Sequence, residues 1–331
     1  MSTRAVVRAE SWPVRGEFRI ARGARRAVEV VVVELHQDGM VGRGECMPYA
    51  RYGESIDSVR YQIETEWPKI EIEGADRRLR LQRMKPGAAR NALDCALWDL
   101  DAKLRAEPVW SLLRFPSPPG VILTMRTVSV AAPDEMHEAA ARLAGNAVLK
   151  VKVDGGTDLE RIAAVHEAAP RAQLVVDANE SWSASQLERW LEELPNYGVT
   201  VLEQPLAAGS DQALTGLQSP LHLCADESFH HRKSFCDIEG CYDMVNVKLD
   251  KAGGLTEALR CVEEARRRGL ALMVGCMVST SLAIEPALLL AGSADFVDLD
   301  GSLLLETDRE GARHDAEAGM LVPSPTIWGG S

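Results

Sequence analysis

A chain of 331 residues, 46% of them hydrophobic and 26% charged, suits a barrel plus one further unit better than one small domain. Its formal net charge of -12 disfavours nucleic acid or an anionic membrane as a partner, so an anionic small molecule would need a local basic patch. Seven scattered cysteines without a CxxC pair point to a reducing, cytoplasmic setting and away from a disulfide framework or structural zinc.

Along the chain, Met1 to Glu10 lacks the apolar segment of a secretion signal. A basic loop, Arg19 to Arg26, leads into the apolar run Val28 to Val33, and after a turn at Asp38-Gly39 the stretch Met40 to Cys46 reads as its hairpin partner. The clearest helical pattern, Ala88 to Leu104, places Ala89, Leu93, Ala96, Leu97, Leu100 and Leu104 on one face. These features predict an α+β capping domain over residues 1–118. The tail, about 306–331, has no complete βα unit and is expected to return to that domain.

Between about residues 119 and 305 short apolar runs take over. They are Val121 to Val130, Ala147 to Val153, Gln173 to Val176, Val199 to Leu202, Leu221 to Ala225 and Met244 to Val247, followed by runs ending near Gly275-Cys276 and at Asp298-Leu299-Asp300. They read as eight buried parallel strands. Helical stretches separate them, one opened by the capping-box pair Ser183 and Gln186, another running from Leu255 to a stop at Gly269. The fold class predicted is α/β, a modified TIM barrel of the (β/α)7β kind. The most apolar stretch, Gly269 to Ile284, is too short and too interrupted to span a membrane.

Charged residues close these runs at an even interval. Lys152, Asp177, Glu203, Asp226 and Lys248 lie roughly 22 to 26 residues apart, about the length of one βα unit. In a closed barrel the three acids end adjacent strands and converge. Hard oxygen donors without His or Cys favour Mg²⁺, one per subunit, with Asn179 and Glu227 around it. Acids at strand ends often only cap helices or pair with lysines, but three in register with the lysines fit that account poorly. Lys150 and Lys152 share the interior face, and their mutual repulsion is expected to lower the pKa of one of them. Lys248, four strands on, would face Lys152 across the metal. Such a pair suits taking a proton from one face of a carbon and returning it on the other, as at the α-carbon of a carboxylate whose enediolate lies beside Mg²⁺.

The chain resembles the enolase superfamily, muconate-lactonizing subgroup, and within it the dipeptide epimerases. The resemblance runs through Ile20 to Gly23, Pro48-Tyr49, Arg51 to Ser55, Asn91 to Leu100, Leu149 to Val153, Val176 to Trp182, Leu202 to Leu206, Cys224 to Ser228 and Asn246 to Leu259. It implies an isomerase that epimerises dipeptides of the L-Ala-L-Glu type by two-lysine 1,1-proton transfer. Lys152 and Lys248 would be the acid/base pair, Lys150 their tuning neighbour, and Asp177, Glu203 and Asp226 the Mg²⁺ ligands. Asp298 and Asp300, read as sharing one side of the last strand, would receive the α-ammonium group of the dipeptide. Arg25 would meet the glutamate side chain, and Thr127 would contact substrate. Murein-peptide recycling in the cytoplasm follows from the same resemblance, which leaves a homo-oligomer open.

Other readings remain at this stage. N-Succinylamino acid racemase, o-succinylbenzoate synthase and muconate cycloisomerase share the lysines and metal but bind no free ammonium, so the aspartate pair counts against them. A Schiff-base aldolase using Lys248 belongs to a different class and would survive chelation. The roles of Arg126 and of the segment 275–286 are left open by the sequence.

Overall fold

The computed structural model describes residues 3–72 and 76–330. Three antiparallel strands come first: β1 (Arg4–Ile20), β2 (Gly23–Gln37) and β3 (Met40–Cys46). The β2–β3 turn falls at Asp38 and Gly39, both left-handed at φ 52° and 79°, as a tight hairpin between twisted strands requires. The expected basic loop is instead the tip of a second hairpin, β1–β2. Few residues of β1 are buried, so its sequence carries little alternation; the ladder to β2 orders it, with a slip between Pro13 and Phe18. Helix Ala88–Arg105 crosses the sheet against β3, where a side chain at Gly42 or Gly44 would overlap the helix backbone at Ala96 or Ala92.

The expected strand Val121 to Val130 divides in two. Its first part, β4 (Ile122–Leu123), leaves the barrel, and only β5 (Arg126–Val128) belongs to it. The barrel continues through β6 (Val148–Lys152), β7 (Gln173–Asp177), β8 (Val199–Glu203), β9 (His222–Ala225), β10 (Met244–Lys248), β11 (Ala271–Gly275) and β12 (Phe296–Asp298). All eight strands are parallel and neighbour one another in chain order. The tail strand β13 (Met320–Leu321) pairs antiparallel with β4.

Alternation along the strands builds the interior in layers. Met125, Val175, Val201, Cys224, Met244 and Met273 form a buried apolar plug. Two residues further on, the same face carries Thr127, Asp177, Glu203, Asp226, Asn246 and Gly275. The opposite faces meet the surrounding helices in the main core.

Between β5 and β12 there is no ladder. The ring closes there through Met125 N–H to Val297 O (2.9 Å), Leu299 N–H to Thr124 Oγ1 (2.8 Å) and Thr127 N–H to Asp300 Oδ2 (2.7 Å). The last strand is shorter than expected. It ends at Asp298, and Asp300 opens a 3-10 turn to Leu304. Leu299, at ψ 27°, has left the extended conformation, so the two aspartates do not share one strand face.

Buried Glu45 of β3 accepts bonds from Thr280 N–H, Thr280 Oγ1 and Arg309, joining the N-terminal sheet to the loop after β11 and to the tail. Among the described residues no helix is long and apolar enough to cross a membrane. All seven cysteines are free.

Candidate active site

Five consecutive strands supply the charged centre. Lys150 and Lys152 leave β6 on its interior face, Asp177 and Glu203 end β7 and β8, Asp226 follows β9, and Lys248 ends β10. Lys152 Nζ lies 2.6 Å from Asp177 Oδ2, and Lys248 Nζ 2.6 Å from Asp226 Oδ2. Lys150 Nζ lies between Glu203 Oε2 (2.6 Å), Asp298 Oδ2 (2.6 Å) and Asp177 Oδ2 (3.0 Å).

Each of Asp177, Glu203 and Asp226 presents a carboxylate oxygen within 4.8 Å of the other two. All three are buried. Burial and the neighbouring Asp177 push the Glu203 carboxyl up to about 7. Glu203 Oε2 makes no hydrogen bond, although the Lys150 ammonium lies close to it off the bonding direction. Three converging hard oxygens without a softer donor fit Mg²⁺.

Lys150 does not show the lowering expected for one of the β6 pair. Burial by itself would depress Lys150 and Lys248, but carboxylates outweigh it: Asp298, Glu203 and Asp177 for Lys150, and Asp226 for Lys248. Both are held above the ordinary lysine range. At Lys150, repulsion by neighbouring ammonium groups loses to the Asp298 carboxylate at hydrogen-bond distance.

Strained turns set the acids in place. Asn179, Glu180 and Gln204, just past the ends of β7 and β8, are left-handed at φ 43°, 70° and 39°. The first turn lets Asn179 N–H bond Asp177 Oδ1 at 2.9 Å. In the second, Gln204 Oε1 accepts from Asp226 N–H (2.9 Å) and Ser228 N–H (3.0 Å). Asn179 Nδ2 also lies 3.3 Å from Glu227 Oε1.

One pocket is lined by Lys150, Lys152, Lys248, Asp226, Asn179, Glu227, Asp298, Asp300, Thr127 and Arg25. Asp177 and Glu203 lie beneath, ion-paired with the lysines. Asp298 is already paired with Lys150, and Asp300 is pushed up to about 6 by burial and by Asp298. The β1–β2 hairpin tip forms a wall. Its exposed Arg25 lies 5.7 Å above the Tyr49 ring, and no carboxylate partner of Arg25 is found among the described residues.

Four residues with a part in the site lie outside the sequence-predicted set. Arg22 donates to Glu227 Oε1 (2.6 Å), Asn179 O (3.0 Å) and Glu180 Oε2 (3.1 Å), fastening the hairpin to the barrel. Lys251 donates to both Asp226 Oδ1 and Asp226 O. Asn246 holds Glu203 Oε1 at 2.8 Å, and a side chain at Gly275 would collide with it. Gln204 is the fourth. Strand alternation does point to Asn246, two residues before Lys248; a left-handed Gln204 has no comparable signal.

Comparison with known proteins adds the following. Residues 134–323 match the family described as enolase C-terminal domain-like, and residues 2–114 match the mandelate racemase / muconate lactonizing enzyme N-terminal domain. The chain is 49% identical over 306 residues to L-Ala-D/L-Glu epimerase of Escherichia coli (strain K12), covering 92% of this chain and 94% of that one. It is 40% identical to N-acetyl-D-glutamate racemase of Pseudoalteromonas sp., covering 91% and 96%. Among solved structures it is similar to an enolase family member from Agrobacterium tumefaciens with homology to dipeptide epimerases, holding sodium and L-Ala-L-Glu. That match has a TM-score of 0.94 at 41% identity and covers 99% and 100% of the two chains. A dipeptide epimerase from Enterococcus faecalis V583, complexed with Mg and L-Leu-L-Tyr, matches with a TM-score of 0.89 at 26% identity over 98% of each chain.

Proposed function

The chain belongs to the mandelate racemase / muconate lactonizing enzyme family of the enolase superfamily, and from that premise we propose that it is a Mg²⁺-dependent dipeptide epimerase acting on L-Ala-L-Glu. The observation that carries this reading is the placement of Lys152 and Lys248 at opposite ends of one carboxylate cluster. A substrate α-carbon between them exposes one face to each ammonium nitrogen. One lysine, as free amine, takes the α-proton; the other, as ammonium, returns a proton on the opposite face. Lys150 remains charged and fixes the interior side of the site. Asp177, Glu203 and Asp226 would hold the metal. The chemistry that Mg²⁺ supplies when bound is positive charge, which balances these acids in place of the lysines and draws the substrate carboxylate to the point where the α-proton leaves.

Asp298 and Asp300 would receive the ammonium group of the first residue, with Thr127 beside them. Arg25, with no ion pair among the described residues, would meet the side-chain carboxylate of the second. The division at residue 118, with 306–331 returning to the first unit, belongs to the same reading and is supported by Arg309 reaching Glu10 and Glu45, although β13 pairs with β4 just beyond that boundary. Cytoplasmic recycling of murein peptides is its physiological side, supported by the seven free thiols.

A second reading, racemisation of N-acylglutamate, is favoured by one contact: Lys150 already occupies Asp298, which leaves Asp300 as the aspartate available to an ammonium group. Proton NMR in D₂O with Mg²⁺ separates the two. Loss of the glutamate α-proton of L-Ala-L-Glu with growth of the L,D diastereomer supports the epimerase. Exchange with N-acetyl-L-glutamate but with no dipeptide would replace it by the racemase.

A further inference from the structure

Arg126 takes no part in the chemistry above. It lies on the outward face of β5, between Met125 and Thr127, which face the barrel interior and the pocket. The residue is only 7% exposed. The tail covers it: Gly319, left-handed at φ 61°, runs so close that a Cβ there would come within 3.1 Å of Arg126 Cδ. Despite this burial, Nε and Nη1 of the guanidinium find no hydrogen-bond partner. A desolvated cation with unmade bonds is costly, so an arginine at this position calls for an electrostatic reason.

The closest carboxylate supplies one. Arg126 Nε lies 3.9 Å from Asp300 Oδ2, the oxygen that also accepts Thr127 N–H at 2.7 Å. Arg15 and Asp315 act on Arg126 more weakly than Asp300 does. Asp300 is buried beside Asp298, and both circumstances favour its protonated form; Arg126 and Thr127 oppose them. Arg126 does not line the pocket, so any effect on substrate must pass through Asp300. An ammonium group arriving from the pocket side stands beyond Asp300 as seen from the guanidinium, so attraction to the carboxylate outweighs repulsion by Arg126.

We propose that Arg126 is a positioning residue for substrate recognition, fixing Asp300 Oδ2 against β5 from behind the barrel seam and leaving the other oxygen to receive the substrate's ammonium group. The inference rests on the dipeptide reading of the site. It gives the tail a part in specificity, since Gly319 is what allows the cover over Arg126.

The test is a double-mutant cycle read in kcat/KM, with kcat and KM also resolved, on L-Ala-L-Glu with Mg²⁺. Arg126→Met should raise KM about tenfold with kcat nearly unchanged, and Arg126→Lys should recover most of the loss. In an Asp300→Asn background, Arg126→Met should change KM no further. Equal effects of Arg126→Met with and without Asp300, or a fall in kcat at constant KM, would overturn the proposal and leave Arg126 a seam strut. If Arg126→Met does not fold, Arg126→Lys and Arg126→Gln complete the same cycle with the same criteria. Wild-type silence on every dipeptide removes the dipeptide reading itself; wild-type activity with additive effects removes this inference alone.

Discussion

Lys152 and Lys248 hold opposite ends of the carboxylate cluster, the first 2.6 Å from Asp177 and the second 2.6 Å from Asp226, four strands apart around the barrel. Each can therefore reach one face of a bound α-carbon. Lys152→Ala should lose α-proton exchange with one diastereomer of Ala-Glu while retaining it with the other, and Lys248→Ala should show the converse. Epimerisation should fall about 10²- to 10⁴-fold in both. Deuterium wash-in, followed separately for L,L and L,D dipeptides, checks this. Equal retention of both exchanges in both variants would end the two-base mechanism.

The anionic cluster predicts a metal linkage. Mg²⁺ bound to Asp177, Glu203 and Asp226 in the folded chain alone should raise the melting temperature in a concentration-dependent way. Glu203→Gln removes one donor charge and should weaken Mg²⁺ binding measured by calorimetry, together with the thermal shift. A Mg²⁺ shift of the same size in Glu203→Gln would exclude this carboxylate from the site.

Arg25 is exposed at the hairpin tip without a carboxylate partner among the described residues, while Arg22 is held by Glu227 and Glu180. A charged hydrogen bond contributes about 1.5 to 3 kcal/mol, so Arg25→Met should raise KM for L-Ala-L-Glu about 10- to 100-fold. A dipeptide with an apolar second residue should be unaffected. If both substrates suffer alike, Arg25 shapes the hairpin and does not read the acid.

Glu285 gives the stability a pH dependence. Both its oxygens accept Ser324 N–H, at 3.0 and 3.1 Å, and burial pushes the carboxyl up to about 8. The folded chain therefore keeps a proton that the unfolded chain, near its ordinary 4.5, has released. The stabilising contribution is full below about 4.5 and is lost as pH rises toward about 8. Glu285→Gln should melt closer to, or above, the wild type as pH increases through that window. A melting-temperature difference constant between pH 5 and 8.5 would contradict it.

The metal acids and lysines were legible because two rules coincide on them: a βα repeat places each at a strand end, and alternation turns each inward. Asn246 obeys the same alternation. The shortfalls occur where the chain leaves these rules. β1 lacks a burial pattern because pairing, not packing, orders it. Val121 to Val130 reads as one strand, yet Thr124 spends its hydroxyl on Leu299 and the run divides. Asp298 and Asp300 read as one face, but the turn at Leu299 sends them to the pocket by different routes. Arg22 looks like a surface charge because its partners, Asn179, Glu180 and Glu227, lie more than 150 residues away in the chain.

The ring has one joint without a ladder, between β5 and β12, where Thr124 and Asp300 replace part of the backbone pairing with side-chain bonds. Lys152, Lys248 and the three acids stand on or just past β6 to β10, off that joint, and Lys150 reaches it through Asp298. A lineage can therefore inherit proton transfer unaltered while it remakes that joint. New substrates would then arise by editing a weld, with the engine left running.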